Sequence, residues 1–326
     1  MKTKLKRLMK MGLIICGCVG VGFLLMVLVY LIPVDRMVNN AQSGVQELKK
    51  DDFSKHTDKE WCATIRDDTT DAIILSTAIC DSGENVLSKA VKNQRIEFES
   101  ISAYKNLIKY YELYVNPSAK EDKVSEKKEE VVPYAYTRYW NGYLTVIKPL
   151  LYLFDYKIIK VINYIIILGL IIANVIMYIR IKKGWYIVPF AFFVFSVNPI
   201  TIGSCLQYIN VFVITLITTL VMMMHNKRLH EKDSYIYIFL ISGISVAYFD
   251  LLTYPLVALG IPLVLYFILE RQGLKQSIIN MIKNSVCWGT GYLTMWLGKW
   301  IIATVITKKN VFKNVIETAK YRAGMK

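Results

Sequence analysis

The chain has 326 residues, 54% of them hydrophobic and 20% charged, with a formal net charge of +15. Its apolar residues are gathered in long runs, which excludes an ordinary soluble globular domain. The basic excess does not describe a nucleic-acid binder, because Lys and Arg outside one central segment flank apolar runs instead of sharing one polar face.

Residues 1–10 carry Lys2, Lys4, Lys6, Arg7 and Lys10 and no acid, and residues 11–32 are uninterruptedly apolar. The run is too long for a signal-peptide core and no A-x-A site follows, so it predicts a retained first transmembrane helix with a cytoplasmic N-terminus. Gly12, Cys16 and Gly20 recur every four residues, a small-residue stripe suited to close helix packing. The segment 33–138 holds nineteen of the 25 acidic residues and no span. Within it, Asn39–Lys50 reads as a helix and Thr70–Ile79 as a short apolar helix or strand. Residues 86–114 carry apolar residues at helical spacing, and Ser118–Glu130 reads as a mobile charged linker.

After Tyr134 the chain turns apolar again. Trp140–Phe154 predicts an amphipathic interfacial helix broken at Pro149. Further spans are expected at 157–180, 184–200, 203–224, 234–252, 255–269 and 284–306. Basic connectors alternate along these runs with connectors that carry no Lys or Arg, as the positive-inside rule requires. The expected fold is thus an all-α integral membrane protein with about seven transmembrane helices and a large, mainly helical outer loop after the first. Its parts are 1–32, the extracytoplasmic loop 33–138, the interfacial helix and bundle 139–306, and the tail 307–326. The tail is rich in Lys although the span count puts it outside, and the end at Lys326 suggests a fragment of a longer protein.

Six cysteines and three histidines show no metal-binding spacing. Cys62 and Cys80 share the outer loop, where a disulfide is one option. No nucleotide-binding loop, catalytic triad or redox motif is present. Four polar features remain, all on the outer side of the predicted topology. Asp35 follows the first span directly; it is either a helix-flanking acid or a carboxylate at headgroup level. Asp67, Asp68 and Asp71 crowd five residues, where capping of the next helix competes with cation binding. Arg138, Tyr139, Trp140 and Tyr143 form either an interfacial aromatic belt or a phosphate partner beside sugar-stacking rings. Asp250 lies at the end of an apolar run, as a turn cap or as a functional acid.

Taken in order, Pro33-Val34-Asp35, Asp67-Asp68-Thr69-Thr70-Asp71-Ala72, Arg138-Tyr139-Trp140-Asn141-Gly142-Tyr143-Leu144, Lys148-Pro149-Leu150 and Phe249-Asp250-Leu251-Leu252-Thr253-Tyr254-Pro255 resemble the GT-C-like superfamily of membrane glycosyltransferases. The likeness is to members from surface-polysaccharide loci of low-GC Gram-positive bacteria. It implies a transferase that takes its sugar from a polyprenyl-phosphate donor and passes it to a glycan acceptor outside the cell membrane. It implies a catalytic acid at Asp35 or Asp71. Substrate contacts would come from Asp67, Arg138, Tyr139, Trp140, Tyr143 and Asp250. Asn141 stands where the relatives carry His. A divalent cation is the one cofactor that the clustered carboxylates suggest. Two other readings fit the same pattern: a transporter or lipid flippase coupled through Asp250, and a non-enzymatic membrane scaffold or receptor.

Overall fold

The computed structural model describes residues 2–50, 68–98, 103–115, 132–322 and 324. They are mostly helical, with one two-stranded sheet. The chain builds a bundle from α1 (Lys2–Val29), α7 (Tyr156–Arg180), α8 (Ile187–Ser196), α10 (Ile209–Met224), α12 (Tyr235–Phe249), α13 (Val257–Glu270) and α14 (Leu274–Thr307). Two helical segments, Leu5–Val29 and Tyr156–Arg180, are long and apolar enough to cross a membrane.

One end of the bundle is held by charge. Asp233 accepts from Arg7 at 2.7 Å and from Lys283 at 3.1 Å, and His230 meets Glu270 at 2.7 Å. This end gathers the start of α1, the α10–α12 connection and the start of α14.

The opposite end carries a layer made of the segment between α1 and α7. It contains α2 (Asp35–Lys50), α3 (Asp68–Ile79), α4 (Val86–Lys92), α5 (Ala103–Tyr110) and α6 (Leu144–Leu153). The apolar spacing of residues 86–114 does not become one helix. Asn93 takes a left-handed conformation at φ 44° and ends α4, as Asn tolerates better than most residues. Strand β1 (Arg95–Glu97) then pairs antiparallel with β2 (Val132–Tyr134), Ile96 facing Pro133. Helix α6 starts at Leu144, later than the sequence suggests, and runs through Pro149 without breaking. Asn141 also has positive φ, at 51°, so residues 140–143 form a turn. The expected linker Ser118–Glu130 and Cys62 lie outside the described residues, and Cys80 is a free, buried thiol.

The small residues Gly12, Cys16 and Gly20 of α1 do not make a helix seam. A Cβ on Gly12 or Gly20 would meet nothing, and Cys16 is exposed. Close packing of α1 occurs at Gly22, against Tyr248 and Met295, and at Val19, against Gly298. The closest backbone approach is between α12 and α14. A Cβ on Gly243 would lie 2.1 Å from the Trp288 carbonyl, and one on Gly291 would lie 2.2 Å from that of Leu240.

The tail helix α15 (Val311–Arg322) lies at the layer end. Trp300 Nε1 donates to the Arg138 carbonyl at 2.8 Å, and the Arg138 guanidinium donates to Thr318. The Lys-rich tail and segment 33–138 therefore share one end of the molecule.

The α12–α14 contact yields a paired prediction. Ala is favoured over Gly in a helix by about 1 kcal/mol, so Gly289→Ala, where a Cβ meets nothing, should stabilise by up to that amount. Gly291→Ala gains the same propensity but forces the backbones apart, at a cost of about 1–3 kcal/mol. Thermal unfolding in detergent should show Gly289→Ala at or above wild type and Gly291→Ala below it; the reverse order would sink the close-packing account.

Candidate functional site

Most of the residues singled out from sequence are placed in the seams that join the layer to the bundle. Asp71 lies within α3, fully buried. Its carboxylate accepts from Tyr156 Oη at 2.5 Å and from the Leu206 backbone N–H at 2.9 Å. Trp140 is 1% exposed; its Nε1 donates to the Met295 carbonyl at 2.7 Å and its ring lies 5.4 Å from that of Tyr248. No face of this ring is open to a sugar. Gly142 donates its N–H to the Tyr248 carbonyl at 2.9 Å. Tyr143 is buried in the same junction, and burial pushes its phenol far up despite a hydrogen bond with Thr77.

Tyr139 is half-buried, its ring 5.5 Å from Trp296 and 5.3 Å from Tyr136. The Arg138 guanidinium is engaged by Thr318 and sits 5.1 Å from the Tyr136 ring centroid. Asp250 caps the turn after α12, accepting from Thr253 N–H at 3.1 Å and Thr253 Oγ1 at 2.6 Å. These bonds hold a turn in which Leu252 takes φ 62°, a conformation that costs a bulky residue energy. Asp67 lies outside the described residues. Among the described residues no group of three or more His, Cys, Asp or Glu is arranged to hold a metal ion.

Two lysines complete these seams: Lys148, which the sequence reading held only as part of Lys148-Pro149-Leu150, and Lys299, which it did not single out. Lys148 of α6 is 1% exposed and donates to the Ala78 carbonyl at 2.7 Å, in the last turn of α3. Lys299 of α14 is fully buried and donates to the Val91 carbonyl at 2.8 Å, in the last turn of α4. Each ammonium thus satisfies carbonyls that a helix end leaves open and meets its negative dipole pole. Burial pulls the Lys148 ammonium down to about 8. Lys299 was detectable as a cation inside an apolar run.

Asp35 is placed differently. It is the exposed first residue of α2, where a carboxylate suits the positive helix pole. Beside it, Leu31, Ile32 and Pro33 from the end of α1 and Pro149, Tyr152 and Leu153 from α6 line an apolar recess of about 420 Å³. Arg36, also exposed, lies over Tyr152 with its guanidinium carbon 5.2 Å from the ring centroid. Helix α2 is fixed on α6 by Asn40, whose amide donates to the Leu151 carbonyl at 2.9 Å. A carboxylate, a guanidinium and hydrocarbon walls therefore occupy one short stretch at the junction of α1 with the layer. The sequence flagged Asp35; Arg36 entered there only as its neighbour.

No protein-family model, curated protein or solved structure matches the chain. The recess and the seams are accordingly read on their own chemistry. Asp71 is the sharpest test of that reading. Asp71→Ala would leave the buried Leu206 N–H and the Tyr156 hydroxyl without their acceptor, at about 1–3 kcal/mol per group. Denaturant unfolding should show a loss of about 2–5 kcal/mol. A variant as stable as wild type would show that Asp71 does not hold α3 to the bundle.

Proposed function

We propose that the chain is a polytopic membrane glycosyltransferase that takes a sugar from a polyprenyl-phosphate donor on the extracytoplasmic side of the cell membrane. The observation that carries this reading is the exposed pair Asp35–Arg36, which follows Pro33 of an apolar recess by two and three residues and sets Arg36 over the recess's Tyr152. The resemblance of the sequence motifs to the GT-C-like superfamily points the same way.

Membrane placement is supported by an inverted distribution of polarity. In the apolar windows of Leu5–Val29 and Tyr156–Arg180 only 17% and 22% of the residues are buried, whereas a core helix of a soluble protein would be mostly enclosed. Leu13, Leu28, Ile165, Ile179, Val286 and Val305 are among the exposed apolar side chains, a surface that lipid accepts and water does not. Inside, Asn174 donates to the Leu216 carbonyl and Thr219 donates to Asn174, the interhelical glue expected where hydrocarbon surrounds a bundle. On this reading α1, α7, α8, α10, α12, α13 and α14 are the seven crossings. Helices α8, α10, α12 and α13 have 10, 16, 15 and 14 residues, about 15–24 Å of helix, and the turns that flank them complete the passage.

In the proposed reaction the first units of the polyprenyl chain lie in the recess, and the Arg36 guanidinium faces the phosphate. Asp35 takes the proton of the acceptor hydroxyl as its oxygen attacks the anomeric carbon. The bond from that carbon to the phosphate oxygen breaks, and the polyprenyl phosphate leaves with the electron pair. Arg36 takes the part that sequence alone gives to Arg138, whose guanidinium is already engaged. Asp71, enclosed by its partners, is a positioning residue.

Asp35→Asn should lower transfer from a polyprenyl-phosphate sugar by about a hundredfold or more, with protein level and membrane insertion unchanged. Full activity in that variant would remove Asp35 as the base. Arg36→Lys should raise the donor KM, because an ammonium lacks the planar fork. Orientation has its own test, in a cysteine-free background on intact cells. An impermeant maleimide should label Leu87→Cys and spare Lys227→Cys; labelling of both to the same extent would overturn the topology.

A further inference from the structure

A second cavity, of about 380 Å³, lies between α6, α7, α10 and α12. One wall is the stripe Asn210, Val213, Ile214, Ile217, Thr218 and Val221 of α10, which spans about 16 Å of helix at i, i+3, i+4, i+7 spacing. Val146, Ile166, Ile217 and Ile241 line the cavity and are also 41–46% exposed. It is therefore a groove that opens sideways on the apolar flank of the bundle, not a closed void. It is separate from the recess beside Asp35, with which it shares no lining residue.

Two donors interrupt its apolar lining. Asn163 Nδ2 of α7 and Asn210 Nδ2 of α10 are buried without a hydrogen-bond partner, and Asn163 is only 5% exposed. Buried polar groups are ordinarily satisfied, so two free amides in one groove call for an occupant with an acceptor oxygen. No neighbouring hydroxyl accepts from either amide. Thr218 donates to the Ile214 carbonyl at 2.7 Å and Ser242 to the Ala258 carbonyl at 3.1 Å.

The lining includes no Lys or Arg. A phosphate placed there would be a desolvated charge with no counter-ion, which is unfavourable. The acceptor is then neutral. Its depth is also set: Asn210 is the second residue of α10 and Asn163 stands two turns into α7, both in the half of the groove nearer the layer. Below them the walls toward Val221 and Ile238 are apolar but for Thr218 and Ser242, whose hydroxyls donate to backbone carbonyls.

We propose that this groove binds a diacyl glycerolipid of the surrounding bilayer, with an ester carbonyl accepting from Asn163 and Asn210 and one acyl chain lying along α10. An ester carbonyl is neutral, accepts without donating, and sits where the hydrocarbon region of a leaflet begins. The proposal rests on the membrane placement argued above but not on the transfer chemistry.

The full chain is reconstituted in vesicles holding equal amounts of a diester phosphatidylglycerol and its dialkyl ether analogue, then extracted in detergent. Co-purifying lipid is measured by mass spectrometry. The ester lipid should be retained about tenfold over the ether lipid, the worth of one or two hydrogen bonds. In the Asn163→Leu, Asn210→Leu double variant this preference should fall to parity. Ile217→Trp, which fills the open side, should lose the retained ester lipid and serves where the double variant does not fold. Equal retention of both lipids by wild type, a preference that survives the double variant, or unchanged retention in Ile217→Trp overturns the proposal. So does displacement of the ester lipid by equimolar polyprenyl phosphate, which would assign the groove to that chain. No transfer step enters the readout, so an inactive Asp35→Asn protein gives the same answer. A chain that fails to float with the vesicles refutes the membrane placement instead.

Discussion

The backbone crossing of α12 and α14 is the constraint from which the rest follows. Gly243 and Gly291 let the two helices meet at a distance that leaves no room for a Cβ. Such close contact brings many backbone atoms to the short range at which dispersion packing acts. The crossing fixes where α14 emerges at the layer end. From there Met295 receives the Trp140 indole, Lys299 reaches the end of α4, and Trp300 binds the Arg138 carbonyl. Three anchors of the layer thus hang on one helix, and that helix is placed by two glycines.

The buried lysines show how a polar layer is joined to an apolar bundle. An isolated ammonium in a dry interior is strongly disfavoured, and an ion pair often does not recover the loss. Here Lys148 and Lys299 each donate to backbone carbonyls at a helix C-terminus. Those carbonyls are already polarised and need donors in any case. The same contact therefore satisfies the helix end and the ammonium together, and fixes α3 against α6 and α4 against α14. The Trp140 ring, 5.4 Å from the Lys299 nitrogen, adds an electron-rich face to the second site.

The bundle was legible in the sequence because long apolar runs mark its helices; each predicted span contains helix. Lengths were less legible. The run at 284–306 is only part of a 34-residue helix, since α14 begins in polar residues whose helix propensity hydropathy does not register. The layer was harder, because its order rests on non-local contacts. Nothing near Val86–Tyr114 announces that Asn93 turns left-handed or that Arg95–Glu97 pairs with a segment some 37 residues on. The acidic and aromatic motifs drew attention for a good reason, being polar groups near apolar runs. That signal does not separate a ligand contact from a seam. Asp71, Trp140 and Asp250 hold pieces of the chain together, while Asp35 alone among the described candidate acids is open to solvent. The row Trp288, Tyr292, Trp296 and Trp300, spaced four apart, passed unnoticed among apolar neighbours although its rings meet at 5.1–6.1 Å along α14.

Helix α6 connects these observations. Tyr143, Val146, Ile147 and Leu150 line the interhelical groove, and Pro149, Tyr152 and Leu153 line the recess beside Asp35. The two cavities therefore stand on different faces of one ten-residue helix. Such a short helix has little stability of its own, so its position must come from what grips it. Lys148 ties it to α3, Asn40 ties it to α2, and the Gly142 N–H ties the preceding turn to α12. A partition gripped at three points keeps the recess and the groove apart. The buried members of the Trp140–Lys148 stretch, namely Trp140, Asn141, Tyr143, Leu144, Ile147 and Lys148, serve to hold that partition in place.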